Sequence, residues 1–140
     1  MSSKLSKETQ QHCTHLLDML CQDANAEVFL EPVDWKAMDL PDYPDIVKNP
    51  MDLSTVRKNL NAGVFGSVDE FLAQIQLIWD NCKLYNMQGS HIYKICERME
   101  KVYNRELGKF QAKIGHANSH PSKRTTTQRK EEKNEDEVTA

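Results

Sequence analysis

The chain has 140 residues, of which 39% are hydrophobic, with a formal net charge of -3 and a sequence pI near 5.9. This length allows one domain with a buried core plus a tail, and it is too short for two such domains. The negative charge argues against a protein that coats nucleic acid by bulk electrostatics, because such domains are usually strongly basic. No apolar run reaches the roughly 20 residues of a membrane span, so a soluble intracellular protein is expected.

The first periodic segment follows Ser6, a suitable helix N-cap, and predicts a helix of about four or five turns. Its apolar face comprises Cys13, Leu16, Leu17, Leu20, Cys21 and Ala24. Between Val28 and Pro50 the periodicity is lost, and four prolines disfavour helix. A loop of about twenty residues is therefore predicted, much longer than an ordinary connection.

This loop is too apolar for a disordered linker and is expected to fold onto the body of the protein. Its apolar residues are Phe29, Leu30, Val33, Trp35, Met38, Leu40, Tyr43, Ile46 and Val47.

Three further helices are predicted. Asp52 caps a short one that ends at Gly63, and Ser67 with Glu70 forms a capping box for the next, which stops at Tyr85-Asn86. The last begins at Ser90 and holds helical spacing over about five turns. The buried positions of these helices are Leu53, Val56, Leu60, Phe71, Leu72, Ile75, Ile78, Trp79, Cys82, Ile92, Ile95, Cys96, Met99, Val102, Tyr103, Leu107 and Phe110. No strand signal competes, so the class is all-α, most simply a four-helix bundle with antiparallel neighbours.

Residues 115–140 are polar and charged, and they are predicted to form a disordered tail behind a folded domain at residues 5–114. Two basic pairs, Lys123-Arg124 and Arg129-Lys130, are compatible with a nuclear import signal, but a solvated tail is the favoured interpretation.

In such a bundle the long loop and the turn after the third helix lie at the same end, leaving a pocket between them. Asn86 would lie at its rim and offer two N–H donors without charge, which suits a neutral amide carbonyl. The predicted walls are Val33, Met38, Leu40, Tyr43, Tyr85 and Ile92. No acid, base or nucleophile converges there, so the pocket is expected to bind a ligand and not to react with it. A slender apolar chain carrying one carbonyl would fit, with water bridging to the Tyr43 hydroxyl.

Four motifs occur in the order and spacing of a bromodomain, the acetyl-lysine-reading module, and the resemblance covers roughly residues 5–114. They are Pro32-Val33-Asp34, Leu40-Pro41-Asp42-Tyr43, Asn49-Pro50-Met51-Asp52-Leu53 and Asn81-Cys82-Lys83-Leu84-Tyr85-Asn86. The resemblance implies a left-handed four-helix bundle with the acetyl-lysine site between the loop and the turn. It also implies a non-catalytic, monomeric nuclear domain without cofactor, whose partners are acetylated histone tails and chromatin complexes.

The resemblance further implies individual roles. Asn86 would donate to the acetyl carbonyl, Tyr43 would reach it through water, and Ile92 would lie at the gatekeeper position. The other positions that match the family's pocket lining are Phe29, Pro32, Val33, Met38, Leu40, Cys82 and Tyr85. Many bromodomains have Trp-Pro-Phe at the start of the loop, whereas this chain has Glu27-Val28-Phe29. The acidic residues Glu27 and Glu31 at the rim could favour peptides with further basic residues.

Several alternatives remain open on the sequence. Asn86 could simply end a helix in the left-handed conformation. The histidines and cysteine of His12-Cys13-x-His15, and the pair His116 and His120, lack a complete metal-ligand set, so no metal is expected. The four cysteines lack a Cys-x-x-Cys pair and are interpreted as small core residues.

Two other functions are weighed against a reader. An enzyme would need an activated Cys82 or Cys96 beside His91, without an obvious orienting carboxylate. A helical scaffold or DNA-tethering module would depend on the basic tail, with Lys48, Arg57 and Lys58, and direct DNA contact is expected to be weak at most.

Overall fold

The computed structural model describes residues 5–118, with the side chains of residues 5–115. Residues 5–110 belong to one compact unit, which contains the bundle and the cavity discussed below, and residues 111–118 belong to a second. The helical elements are α1 (Lys7–Gln22), a 3₁₀ helix (Ala24–Phe29), α2 (Tyr43–Ile46), α3 (Leu53–Asn61), α4 (Val68–Tyr85) and α5 (His91–Asn118). No strand occurs within residues 5–118, and the predicted all-α class is confirmed.

The predicted caps explain where the helices begin. Ser6 Oγ accepts from the Thr9 amide at 3.0 Å, and buried Asp52 accepts from the Thr55 amide at 3.0 Å. Ser67 Oγ accepts from the Glu70 amide at 3.2 Å. The reciprocal half of this capping box is displaced by one residue, because Glu70 Oε1 accepts from the amide of Gly66 at 2.7 Å. Each cap satisfies amides that have no partner inside the helix.

The core is formed where the apolar stripes of α1, α3, α4 and α5 meet, as the periodicity predicts. Its largest fully buried side chains are Trp79, Phe71, Leu16, Leu17, Leu20, Leu53, Leu60, Ile75 and Met99. Cys21 and Ala24 are exceptions to the predicted α1 face, since Cys21 is half-buried and Ala24 is exposed at the start of the 3₁₀ helix. Among the described helices, none is long and apolar enough to cross a membrane.

The long loop is folded onto the helices, and three hydrogen bonds hold it there. The Ser54 amide donates to Leu30 O at 3.0 Å, and Asn81 Nδ2 donates to Asn49 O at 2.8 Å. The Tyr85 hydroxyl donates to Asp42 Oδ1 at 2.6 Å. These bonds fix both halves of the loop against α3 and α4.

Two predictions about helix boundaries need correction. The loop is not free of helix, because the 3₁₀ helix and α2 lie at either side of its central turn. The last helix continues to Asn118, so the predicted tail boundary at residue 115 falls inside it. Gly115 alone costs about 1 kcal/mol in a helix interior, which is too little to end one whose other residues favour it. The rest of the predicted tail, from Ser119 to Ala140, lies outside the described residues.

Candidate functional site

A cavity of about 140 Å³ lies between the folded loop and the turn that joins α4 to α5. It is predominantly apolar, and Glu31 is the one charged residue among those that line it. The lining residues are Val28, Phe29, Glu31, Val33, Met38, Leu40, Tyr43, Met51, Ile78, Asn81, Cys82, Tyr85, Asn86 and Ile92. The cavity therefore occupies the place that the sequence predicts for a binding pocket.

Asn86 ends α4 and its amide is fixed by the last turn of that helix. Its backbone N–H donates to Cys82 O at 3.0 Å, and its side-chain Nδ2 donates to the same carbonyl at 2.9 Å. Nδ2 also lies 3.6 Å from Cys82 Sγ, a weak acceptor. Because Nδ2 carries two hydrogens, one can hold the carbonyl while the second remains available to a stronger acceptor in the cavity.

The left-handed cap considered for Asn86 is wrong. The residue has φ -95° and ψ 146°, which is extended backbone, and the left-handed position of the turn is taken by Gly89 at φ 87°. Asn86 nevertheless acts as a cap, since its side chain satisfies a carbonyl that the end of the helix leaves without an intrahelical partner.

The two tyrosines of the cavity have different surroundings. Their rings pack edge to face with centroids 4.9 Å apart. The hydrogen bond to Asp42 raises the pKa of Tyr85 to about 12, so its hydroxyl stays protonated and engaged with the loop. Burial raises the pKa of Tyr43, which keeps that hydroxyl neutral as well. Tyr43 is thus a neutral group that can donate to or accept from water in the cavity.

Nine of the ten residues predicted for the site line the cavity. The nine are Phe29, Val33, Met38, Leu40, Tyr43, Cys82, Tyr85, Asn86 and Ile92. Pro32 is exposed and is not among the lining residues, although its neighbours Glu31 and Val33 both are. Trp35 is also absent from the lining and packs under the Lys36 ammonium, 5.5 Å from the ring centroid.

Five lining residues lie outside the ten predicted for the site: Val28, Glu31, Met51, Ile78 and Asn81. Of these, only Glu31 is predicted from the sequence to lie at the rim. Helical spacing could have identified two of them, because Ile78 and Asn81 precede Tyr85 by seven and four residues and share its face of α4. Asn81 additionally anchors the loop through Asn49 O. Met51 directly follows this anchored segment, which brings it to the cavity wall.

The segment that includes the loop over the cavity is acidic. Residues 24–48 carry six carboxylates and two lysines. Glu31 lies at the cavity itself, and Asp42 holds Tyr85 beside it. The mouth is therefore a negative environment around an apolar interior.

Two thiols lie behind Asn86, at the contact between α4 and α5. The neighbouring Cys96 thiol lowers the pKa of the Cys82 thiol, and Cys82 in turn raises the pKa of Cys96. Within residues 5–118, no group of three or more histidine, cysteine or acidic side chains is placed to hold a metal ion. His116 and His120, weighed in the sequence as a metal pair, are not covered by the described side chains.

The fold and the cavity define a small-ligand recognition module, and comparison with known proteins gives its family. A family model described as Bromodomain matches residues 13–98. The chain belongs to the bromodomain family, the reader modules of acetylated lysine, and the resemblance seen in the motifs is confirmed.

Three of the similar proteins come from two yeasts and a plant. The chain is 32% identical to Bromodomain-containing factor 2 of Saccharomyces cerevisiae over 73% of its own length and 16% of that protein. It is 36% identical to SWR1 complex bromodomain subunit bdf1 of Schizosaccharomyces pombe, covering 70% of this chain and 17% of the relative. It is 31% identical to Transcription factor GTE11 of Arabidopsis thaliana, covering 85% of this chain and 19% of the relative. The chain thus spans less than a fifth of the length of these curated relatives.

Proposed function

We propose that this domain reads acetylated lysine in histone tails, with Asn86 donating a hydrogen bond to the acetyl carbonyl. The observation that carries the proposal is the fixed Asn86 amide, which has a second N–H available at the wall of an apolar cavity. A cavity of about 150 Å³ holds a ligand the size of benzene. The 140 Å³ available here is therefore matched to an acetyl group and the methylenes next to it.

Discrimination against unmodified lysine comes from desolvation. The ammonium of unmodified lysine would lose its hydration on entering an apolar cavity, which is energetically costly. The acetylated side chain is neutral and avoids this cost. Glu31 is the one charged residue of the lining, and because it is exposed it lies at the mouth. No carboxylate among the lining residues lies deeper in the cavity to pair with a lysine ammonium. The wall thus rejects the charged form and accepts the modified one.

Tyr43 completes the polar part of the proposed site. Its hydroxyl is protonated at neutral pH, as is ordinary for tyrosine, and burial raises its pKa further. Such a hydroxyl can donate to a water molecule that in turn donates to the acetyl carbonyl. The carbonyl would then have two hydrogen bonds, one direct from Asn86 and one through water.

The expected affinity for a single mark is modest. A hydrogen bond contributes about 1 kcal/mol net, and each buried methylene about 0.8 kcal/mol at most. These contributions correspond to micromolar or weaker dissociation constants once the cost of association is included.

The names of the relatives support a chromatin setting. One is a subunit of the SWR1 complex and another is a transcription factor. We infer a monomeric, non-catalytic nuclear domain that recruits a chromatin or transcription complex to acetylated histones, with direct DNA contact weak at most. The basic pairs that would act as an import signal lie in the undescribed tail.

The test is binding to an array of histone-tail peptides with and without acetylation, followed by calorimetric titration of the strongest binders. We expect binding to acetylated peptides and none to the unmodified controls. Peptides carrying the longer butyryl group should bind more weakly, because the cavity volume is matched to acetyl. Equal binding to modified and unmodified peptides would overturn the proposal. Salt-dependent DNA binding that persists in Asn86→Ala would instead favour the tethering module.

The acidic mouth leads to a second prediction, about the residues next to the mark. Glu31→Gln should lower the affinity for peptides that carry arginine or lysine beside the acetyl-lysine by roughly 1.5-fold to 5-fold, which is the contribution of an exposed ion pair. Peptides with neutral neighbours should change little, and added salt should reduce the difference between the two sets. Calorimetric titration of the two peptide sets, at low and at high salt, measures these affinities.

Asp69→Asn is a matched control, since it removes an exposed carboxylate at the far end of α4 from Asn86. It should leave both sets of peptides unaffected. An equal loss for basic and neutral peptides in Glu31→Gln would show that Glu31 shapes the wall and does not read charge.

A further inference from the structure

Cys82 and Cys96 face each other across the contact between α4 and α5. Cys82 Sγ donates to Ile92 O at 3.8 Å, and Cys96 Sγ donates to Trp79 O at 3.6 Å. Ile92 lies one turn before Cys96, and Trp79 lies one turn before Cys82. Each thiol therefore bonds to the helical turn that precedes the other thiol, which places the two sulfur atoms in the same short stretch of the interface.

The two thiols differ in access. Cys82 lines the cavity and is 8% exposed, whereas Cys96 is fully buried. A small solute can thus reach Cys82 through the cavity, whereas Cys96 has no exposed surface and does not line the cavity. The amide of Asn86, 3.6 Å from Cys82 Sγ, supplies an N–H donor beside the accessible sulfur.

The electrostatics assign different roles to the pair. Contact with the Cys96 thiol lowers the pKa of Cys82, which favours its thiolate, the nucleophilic form. Cys96 keeps its proton, because the same contact raises its pKa. Cys13 is a useful comparison: it is fully buried, and burial raises its pKa to about 12. Cys82 therefore has a combination of access and activation that the buried Cys13 lacks.

We propose that Cys82 and Cys96 form an oxidation site for peroxides that enter through the cavity, and that the resulting disulfide impairs acetyl-lysine binding. The first half of the proposal, formation of the disulfide, is argued from the arrangement of the thiols. The second half, the loss of acetyl-lysine binding, rests on the proposed function.

The chemistry uses one peroxide for two thiols. The Cys82 thiolate attacks one oxygen of hydrogen peroxide, an S–O bond forms, the O–O bond breaks, and the departing hydroxide takes a proton to become water. The Cys96 sulfur then attacks the Cys82 sulfenic acid, an S–S bond forms, and the hydroxyl leaves as a second water with the Cys96 proton. Peroxide is reduced and the dithiol is oxidised by two electrons.

The disulfide would change the wall of the cavity. An S–S bond of about 2.05 Å requires both sulfur atoms to leave their carbonyl acceptors. Cys82 Sγ would then move away from Asn86 Nδ2, whose other partner is Cys82 O on the same turn. Asn86 would lose part of its support and the lining would lose one apolar contact, so acetylated peptides should bind at least about tenfold more weakly.

The first experiment treats the reduced chain with hydrogen peroxide, blocks free thiols with maleimide and measures intact mass and peptide fragments. We expect two fewer maleimide adducts and a Cys82–Cys96 linked fragment. Cys96→Ala should stop at a Cys82 sulfenic acid that dimedone traps, and Cys82→Ala should protect Cys96. A disulfide through Cys13 or Cys21, or no loss of free thiol at Cys82 in the wild-type chain, would overturn the proposal.

The second experiment titrates an acetylated peptide into the reduced, oxidised and dithiothreitol-treated chain. Peroxide also oxidises methionine, and Met38 lines the cavity with 60% exposure. Dithiothreitol reverses a disulfide but leaves methionine sulfoxide, so recovered affinity would assign the effect to the thiols. Unchanged affinity of the oxidised chain would overturn the second half. Failure of the reduced chain to bind any acetylated peptide would count against the proposed function, while the mass measurement still tests the dithiol.

Discussion

Asn86→Ala is expected to abolish measurable binding of acetylated peptides while the helices remain folded. The substitution removes the N–H proposed to meet the acetyl carbonyl, and it leaves that carbonyl buried without its direct donor, a cost of about 1–3 kcal/mol. Against a micromolar dissociation constant, this is a loss of roughly 5-fold to 150-fold. Calorimetric titration measures the binding and circular dichroism the helix content.

Stability should fall only slightly in the same variant. The side chain contributes one hydrogen bond to Cys82 O, worth about 0.5–1.5 kcal/mol. Asn86→Asp is a sharper probe, because it keeps the size of the side chain but replaces the donor with a charged acceptor, and it should also abolish binding.

Asn59→Ala is the matched control for Asn86→Ala. Asn59 Nδ2 donates to Gln74 Oε1 at 3.0 Å, which links α3 to α4, and Asn59 is not among the residues that line the cavity. Its loss should cost similar stability and leave peptide binding intact. Undiminished binding by a folded Asn86→Ala variant would rule out the proposed role of this amide.

The helices could be predicted because their signals are local. Ser6, Asp52 and Ser67 cap the amides within their own first turns, and the apolar stripes repeat within each helix. The loop could be predicted to fold onto the bundle from its composition, but its course could not. Its bonds join Leu30 to Ser54, Asn49 to Asn81 and Asp42 to Tyr85, pairs that lie 24 to 43 residues apart in the chain. Local propensity carries no information about such pairs.

The same distinction applies to the cavity. Asn86 and Tyr43 could be placed beside it because a helix end and an apolar loop meet at one end of the bundle. The hydrogen bond from Tyr85 to Asp42 could not be foreseen. It gives the physical reason why the Tyr43 hydroxyl, assigned to the water bridge from the sequence, is the one that remains available to the ligand. The pairing of Cys82 with Cys96 depends on the rotation of α4 and α5 about their own axes. Helical periodicity identifies the buried face of each helix, but it does not determine which two side chains of those faces meet.

Trp79→Ala is expected to have the largest effect on stability, lowering the free energy of unfolding by about 3–5 kcal/mol. Trp79 is fully buried in α4, and its ring contacts Phe29 of the 3₁₀ helix at a centroid distance of 5.3 Å and Tyr103 of α5 at 6.0 Å. It therefore joins the start of the loop to the bundle core. Because Phe29 also lines the cavity, the variant should bind acetylated peptides more weakly even under conditions where it stays folded.

Two variants make this prediction specific. Trp79 Nε1 is buried with no hydrogen-bond partner among the described residues, so Trp79→Phe loses volume but also removes an unsatisfied N–H and should cost less than Trp79→Ala. Leu84→Ala, at a side chain that is 62% exposed on the same helix, should stay within about 0.5 kcal/mol of the original. Urea unfolding followed by circular dichroism is the appropriate measurement, because Trp79 is one of two tryptophans and its removal alters the fluorescence itself. A loss as small in Trp79→Ala as in Leu84→Ala would mean that the loop is held by its three hydrogen bonds and not by this aromatic contact.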